Sequence, residues 1–248
     1  MINGRKIIIV TPGFAPAQIF FETASRMSFT EGVVDEKWLL LNKYPLPSVE
    51  ENEKELVEIA NKYGYNIFDS EDDLGEVGST NNFLVKNPQP PGTIFIGRGP
   101  DSFCADSGWD KALGEVLTAA DDIAMLGLAY INTPRRGPGT CRIAEHRVLI
   151  YGNDNKPVPF DMSAIPIDFL NQVGGFEGVG KYWGGVDHVM REKWNSIGKK
   201  VGWLCDFPHT PGNFLGPMKD PRYYTWRIAS LHGSFEGNFA QWILEGRQ

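Results

Sequence analysis

A carboxylate that follows an apolar, strand-like run can hold a metal, and this chain has one in Gly97-Arg98-Gly99-Pro100-Asp101-Ser102. Mg²⁺ and Mn²⁺ take oxygen ligands and readily combine one or two carboxylates with a diphosphate. A solvated turn aspartate fits the same residues. A second constellation pairs Gly174-Gly175-Phe176 with Gly184-Gly185-Val186-Asp187. Paired glycines let a backbone approach a ligand closely. Asp187, at the start of a helical pattern, is either an N-terminal cap or a general base within reach of an acceptor hydroxyl. His209 follows a strand and Asp206 in a polar loop, which suits a metal or diphosphate contact. His146, His188 and His232 have no such context. The arginines Arg98, Arg135, Arg136, Arg142 and Arg147 are the cationic candidates, and the Pro/Gly-rich loop around Arg135 could close over a diphosphate. A solvated loop is the plainer reading of each one singly.

These residues need elements to position them. Residues 7–10 read as a buried parallel strand opening into Thr11-Pro12. Helical spacing over 17–27 puts Ile19, Phe20, Ala24 and Met27 on one face. Residues 38–41 are a second strand ending at Asn42. Ser48 and Glu51 form a capping box for a helix that Gly64 stops. A third strand over 65–68 ends at Asp69. A glycine-punctuated loop through Gly75 and Gly78 precedes a helix over 80–86 that carries Asn81. A fourth strand spans 93–96, a helix 108–120, and another strand 123–131. Alternating strands and helices imply a parallel sheet covered on both faces. Ligands of such sheets lie beyond the strand C-termini, here Thr11, Asn42, Asp69 and Asp101. In the second half, 148–151 and 158–162 suggest a hairpin about Asn153-Asp154-Asn155. Helices over 166–173 and 184–197 and a strand over 201–204 follow. The expected fold is α/β, Rossmann-like, with a mainly parallel central sheet and an acceptor-side half of short strands and helices. The expected organisation is one domain, 1–248, with a donor half 1–134 and an acceptor half 135–248.

The length of 248 residues suffices for a core without staples. A formal net charge of -7 disfavours broad non-specific attraction to nucleic acid or anionic membrane, while leaving room for a local basic patch. Cys104, Cys141 and Cys205 are odd in number and scattered, as expected of reduced thiols. No apolar run reaches bilayer-spanning length, so the expected location is cytoplasmic, away from membrane. Nothing in the sequence sets an oligomeric state.

Taken in order, these segments resemble the family 2 type of GT-A glycosyltransferase over residues 6–209. The opening strand with Thr11-Pro12, the stretch from Asp69 through Asp73 and Gly75 to Asn81-Asn82, and "TIFIGRGPDSF…GWDKAL" match its donor half. "PFDMSAIPIDFLNQVGGF…YWGGVDHVM" matches its acceptor half. The resemblance implies a hexosyl- or pentosyltransferase that moves a sugar from a nucleoside diphosphate sugar, with a UDP-sugar expected. Its donor contacts would be Thr11, Pro12, Asn42, Asp69, Gly75, Asn81, Arg98 and Asp101. Its acceptor contacts would be Gly175, Phe176, Trp183, Gly184 and Gly185, with Asp187 as base. The family's metal motif is Asp-x-Asp, and here it reads Gly99-Pro100-Asp101. The first carboxylate is missing, and the second, Asp101, is the usual direct ligand. Mn²⁺ or Mg²⁺ is the implied cofactor, with His209 as a further ligand. Arg98 is an alternative source of positive charge.

The resemblance leaves the acceptor open between a saccharide and a hydroxymethylated pyrimidine in DNA, since small stand-alone enzymes of this kind also occur in phages. The acidic charge weighs against DNA. Tyr182, Trp183, Tyr223, Tyr224 and Trp226, with Lys219, Arg222 and Arg227, weigh mildly for it. Two other classes compete. One is a nucleotide-sugar-binding protein without turnover. The other is a nucleotidyltransferase, disfavoured because the loop from Thr11 to Pro16 has no basic residue.

Overall fold

Ile7–Gly13 forms β1 and is buried at every position. A continuous apolar run suits a strand covered on both faces. The computed structural model describes residues 1–13, 17–41, 49–70, 75–130, 139–151, 161–179 and 186–210. After β1 come α1 (Ala17–Met27), β2 (Glu36–Leu41), α2 (Val49–Lys62), β3 (Asn66–Asp69), α3 (Gly75–Lys86), β4 (Ile94–Gly97) and β5 (Phe103–Cys104). Then follow α4 (Trp109–Ala119), β6 (Ile123–Tyr130), β7 (Thr140–Ile143), β8 (His146–Tyr151), β9 (Ser163–Pro166), α5 (Ile167–Gln172), α6 (Val186–Ser196) and β10 (Lys200–Thr210).

All the strands join one sheet in the order β3-β2-β1-β4-β9-β6-β10-β8-β7, with β5 added to β10. β1 to β4 pair in parallel. β9 is inserted antiparallel between β4 and β6, so β4 and β6 point the same way. β10 runs parallel to β6. The C-terminal ends of β4 and β10 and the start of β9 therefore lie at one edge of the sheet.

Strand alternation splits the core into two faces. Ile8, Val10, Phe95 and Ile165 pack with Phe176, Val186, Met190 and Trp194. Ile7, Ile9, Ile94 and Ile96 pack with Met27, Trp109, Leu113 and Leu117. α6 and the turn after α5 thus cover one face, and α4 covers the other.

Several boundaries differ from the sequence expectation. α3 starts at Gly75, not near residue 80. Burial of Val77, Thr80 and Phe83 overrides the low helix propensity of its two glycines. β8 pairs with β7 and β10, and the strand after it is β9, in mid-sheet at Ser163–Pro166. Residues 152–160, including the expected turn, lie outside the described residues. β5, two residues long, and β7, four residues of mixed exposure, are too short to show a period of their own.

Candidate active site at the ends of β4 and β10

The loop after β4 is braced from behind by Arg98, which is fully buried. Its Nη1 donates to Tyr65 Oη at 2.6 Å, its Nη2 to Thr23 Oγ1 at 2.6 Å and its Nε to the Ser102 carbonyl at 2.9 Å. Thr23 Oγ1 in turn donates to the Pro100 carbonyl at 2.5 Å. Phe20 stacks under the guanidinium with its ring centre 5.8 Å from Cζ. Arg98 is thus engaged by protein atoms of α1, β3's approach and its own loop. Burial pushes the Tyr65 hydroxyl up to about 12, against the pull of Arg98.

The front of the same loop meets a residue that the sequence reading passed over. Asp161 precedes β9, and the pairing of Gly97 with Ser163 carries it to the tip of β4. Asp161 Oδ1 accepts from the Gly99 amide at 2.7 Å, and Asp161 Oδ2 accepts from Ser102 Oγ. Asp101 stands beside it. A Cβ on Gly99 would lie 2.9 Å from Asp101 Oδ1 and 3.0 Å from Asp161 Oδ1. Burial and then the Asp161 charge push the Asp101 carboxyl up to about 7, with Arg98 opposing. The signal for Asp161 was an aspartate just ahead of a strand, but reading 158–162 as that strand hid it.

The end of β10 adds His209, fully buried and paired in register with Cys104 and Tyr130. Its Nε2 lies 3.8 Å from Asp161 Oδ2. Burial lowers its pKa, while Asp161 and the carbonyls of Leu128 and Ala129 act the other way. Lowering favours the neutral imidazole, the form that binds metals. In the conformation described, no three His, Cys, Asp or Glu side chains among the described residues stand ready to hold one ion. The donor chemistry of Asp101 and His209 nonetheless fits Mn²⁺ or Mg²⁺, and a closely set carboxylate pair is relieved by a cation.

On the other face of the sheet, donor and acceptor candidates meet. Asn81 on α3 accepts from the Phe176 amide at 3.4 Å through its Oδ1. Gly175 has φ +59, and a Cβ there would lie 2.9 Å from the same oxygen. Only glycine combines that backbone with so close an approach. Lys193 on α6 donates to the carbonyls of Val173 at 3.2 Å and Gly175 at 2.9 Å. Burial lowers the Lys193 pKa, with Glu177 opposing. The Gly174-Gly175 turn is thereby fastened to α3 on one side and to α6 on the other. Asp187 lies half-buried in the first turn of α6, whose Val186, Met190 and Trp194 are buried beneath it.

The other candidates scatter more widely. Thr11 and Pro12 are buried in β1, in register with Leu39 and Leu40. Gly75 is buried at the start of α3. Asp69 is exposed at the end of β3. Asn42, Arg135, Arg136, Trp183, Gly184, Gly185 and the aromatic and basic set beyond residue 210 lie outside the described residues. Arg142 is exposed and Arg147 is engaged by Asp206 at 2.6 Å.

No protein-family model matches the chain, and no curated protein matches it in sequence. Solved structures do match. The mannosyltransferase PcManGT from Pyrobaculum calidifontis, solved with GDP-Man and Mn²⁺, aligns over 93% of this chain at a TM-score of 0.65 and 14% identity. The fold is GT-A. GalNAc-T7, solved with UDP, GalNAc and Mn²⁺, aligns over 84% of this chain at a TM-score of 0.59 and 13% identity. The glucosyl-3-phosphoglycerate synthase of Mycobacterium tuberculosis, solved with Mn²⁺, UDP and phosphoglyceric acid, aligns over 93% at 0.54 and 13% identity. At these identities the likeness is one of GT-A fold. The chain spans 63% of PcManGT and 44% of GalNAc-T7. Among the described residues no helix is long and apolar enough to cross a membrane.

Proposed function

We propose that this chain is a glycosyltransferase that takes a sugar from a nucleoside diphosphate sugar, a UDP-sugar first among those to test, and passes it to an acceptor hydroxyl. The observation that carries the reading is the cluster in which Asp101 stands beside Asp161 and Asp161 lies 3.8 Å from His209, at the edge of a GT-A sheet where β4 and β10 end. Proteins of the same fold are solved with GDP-Man or UDP, together with Mn²⁺. A divalent metal, when bound by Asp101 and His209, would neutralise the charge that develops on the leaving diphosphate.

The chain's own residues do the rest. The Arg98 network holds the loop of Asp101 rigid, so its carboxylate needs no reordering when the donor arrives. Asn81 and Lys193 hold the Gly174-Gly175 turn open to the acceptor. Asp187 takes the proton from the acceptor hydroxyl, whose oxygen bonds to the anomeric carbon as the bond to the diphosphate oxygen breaks. The diphosphate leaves with that electron pair. Attack from the face opposite the leaving group inverts the anomeric carbon. Trp183, Gly184 and Gly185 complete the acceptor side of the proposal, and Thr11, Pro12, Asn42, Asp69 and Gly75 the donor side. The acceptor is a saccharide or a hydroxymethylated pyrimidine in DNA.

A thermal-shift screen of nucleoside diphosphate sugars with Mn²⁺ tests the donor. A nucleotide-sugar-binding protein without turnover is the second reading, favoured by the glycine at position 99. It would stabilise with a donor yet release no nucleoside diphosphate on long incubation.

A further inference from the structure

We propose that Asp161 supplies the metal-binding carboxylate that the chain lacks at Gly99. The inference rests on the nucleotide-sugar reading of the site. Its foundation is a coincidence of position. A side chain on residue 99 would leave the backbone at a point 3.0 Å from Asp161 Oδ1 and 2.9 Å from Asp101 Oδ1. Asp161 Oδ1 thus lies within reach of the place from which a carboxylate borne by residue 99 would extend. It arrives there from another strand, across a sequence separation of 62 residues, and the Gly99 amide fixes it at 2.7 Å.

Three further features fit. Each carboxylate oxygen has two acceptor sites, so accepting from Gly99 and Ser102 leaves Asp161 with lone pairs for an ion. His209 Nε2 stands 3.8 Å from Asp161 Oδ2, so the imidazole and the carboxylate share one side of the site. Two like charges in a partly desolvated place repel, and a cation between them removes that cost. The arrangement also accounts for the glycine. While Asp161 stays, a Cβ at position 99 would press on both carboxylates, at 2.9 Å from Asp101 Oδ1 and 3.0 Å from Asp161 Oδ1. A carboxylate at position 99 is therefore easier to place once Asp161 is removed.

The competing role for Asp161 is a plain brace on the loop, through Gly99 and Ser102. Asp161→Asn separates the two, because the amide oxygen still accepts from the Gly99 N–H while the charge is gone. Mn²⁺ binding to the full chain is measured by electron paramagnetic resonance of the free ion, with saturating UDP and, separately, GDP. Melting temperature is followed on the same samples. We expect Asp161→Asn to weaken Mn²⁺ binding about tenfold or more, as loss of a charged oxygen ligand does, with melting within about 3 °C of the parent protein. The pair Gly99→Asp/Asp161→Ala should recover most of the Mn²⁺ affinity, whereas Asp161→Ala alone should not. Should Asp161→Asn melt much lower, that exchange decides: recovered Mn²⁺ binding supports the proposal, and none overturns it. Unchanged Mn²⁺ affinity in a folded Asp161→Asn, with loss in Asp101→Asn, overturns the proposal and leaves the glycosyltransferase reading intact. Nucleotide bound without any Mn²⁺ uptake by the parent protein overturns the proposal and the metal assignment together. No nucleotide binding at all removes the glycosyltransferase reading as well.

Discussion

Replacing Arg98 with methionine should unfold the loop of Asp101 from behind. The guanidinium is fully buried and makes three hydrogen bonds, to Tyr65, Thr23 and the Ser102 carbonyl. Methionine fills a similar length but donates nothing. Hydrogen bonds to a charged group contribute about 1.5–3 kcal/mol each, and groups left buried without partners cost about 1–3 kcal/mol. Relief of the desolvated charge offsets part of that loss. A net cost of about 3–5 kcal/mol follows, which for a chain of this size lowers the melting temperature by roughly 10 °C. Differential scanning fluorimetry reads the shift, and nucleoside diphosphate binding is titrated below the lowered transition. Arg98→Lys should recover little, because an ammonium cannot span three partners set around a planar fork. A variant that melts like the parent but loses nucleotide affinity would refute the reasoning. It would mean that Arg98 faces the diphosphate in solution.

Asp187→Asn should keep the fold and donor binding but lower transfer about 10²-fold or more, the usual contribution of a general base; near-normal turnover would make Asp187 only a helix cap. In EDTA, Asp101 should contribute more stability at about pH 5 than at about pH 8, while the lowered pKa of His209 acts the other way, so the comparison is with Asp101→Asn. The Asp101 carboxyl moves from 3.8 to about 7 on folding, so its stabilising proton is fully held below the unfolded value and lost as pH rises through the folded one. About two pH units of that shift fall between about pH 5 and about pH 8, so the Asp101 contribution changes by on the order of 3 kcal/mol. Urea titrations of the parent and Asp101→Asn should diverge over that window, and parallel profiles would contradict the assignment. Gly175→Ala should cost about 1–2 kcal/mol for the left-handed backbone alone, with Asn81 displaced as well, since the added Cβ would lie 2.9 Å from Asn81 Oδ1. Equilibrium denaturation measures it, and an unchanged midpoint would show that the turn has another conformation.

Most of the donor half was legible because β1, β2, β4 and β6 each carry an apolar run bounded by a turn signal. Helix α1 follows its heptad-like spacing from Ala17 to Met27, and β1, β2 and β4 differ from expectation only at their ends. The acceptor half was less legible for a physical reason. β9 is four residues long and takes its partners from β4 and β6, far away in sequence. No local periodicity announces such a strand, so the hairpin reading displaced it and Asp161 with it. Arg98 was visible as a cation, but its burial depends on Thr23 and Tyr65, which come from α1 and the approach to β3. Asn81 and Gly175 were each singled out, on opposite sides of the reading. Their mutual contact needs the sheet that folds α3 and the turn after α5 onto the same face.

The central claim is that the edge formed by β4 and β10 binds a nucleoside diphosphate sugar. Isothermal titration calorimetry of UDP, GDP, ADP, CDP and dTDP, each with and without Mn²⁺, tests it most directly. The account predicts saturable binding of at least one of them, strengthened by Mn²⁺ and lost or greatly weakened in Asp101→Ala. Heat of binding for none of the nucleotides, in either condition, by a protein that melts cooperatively, would contradict it.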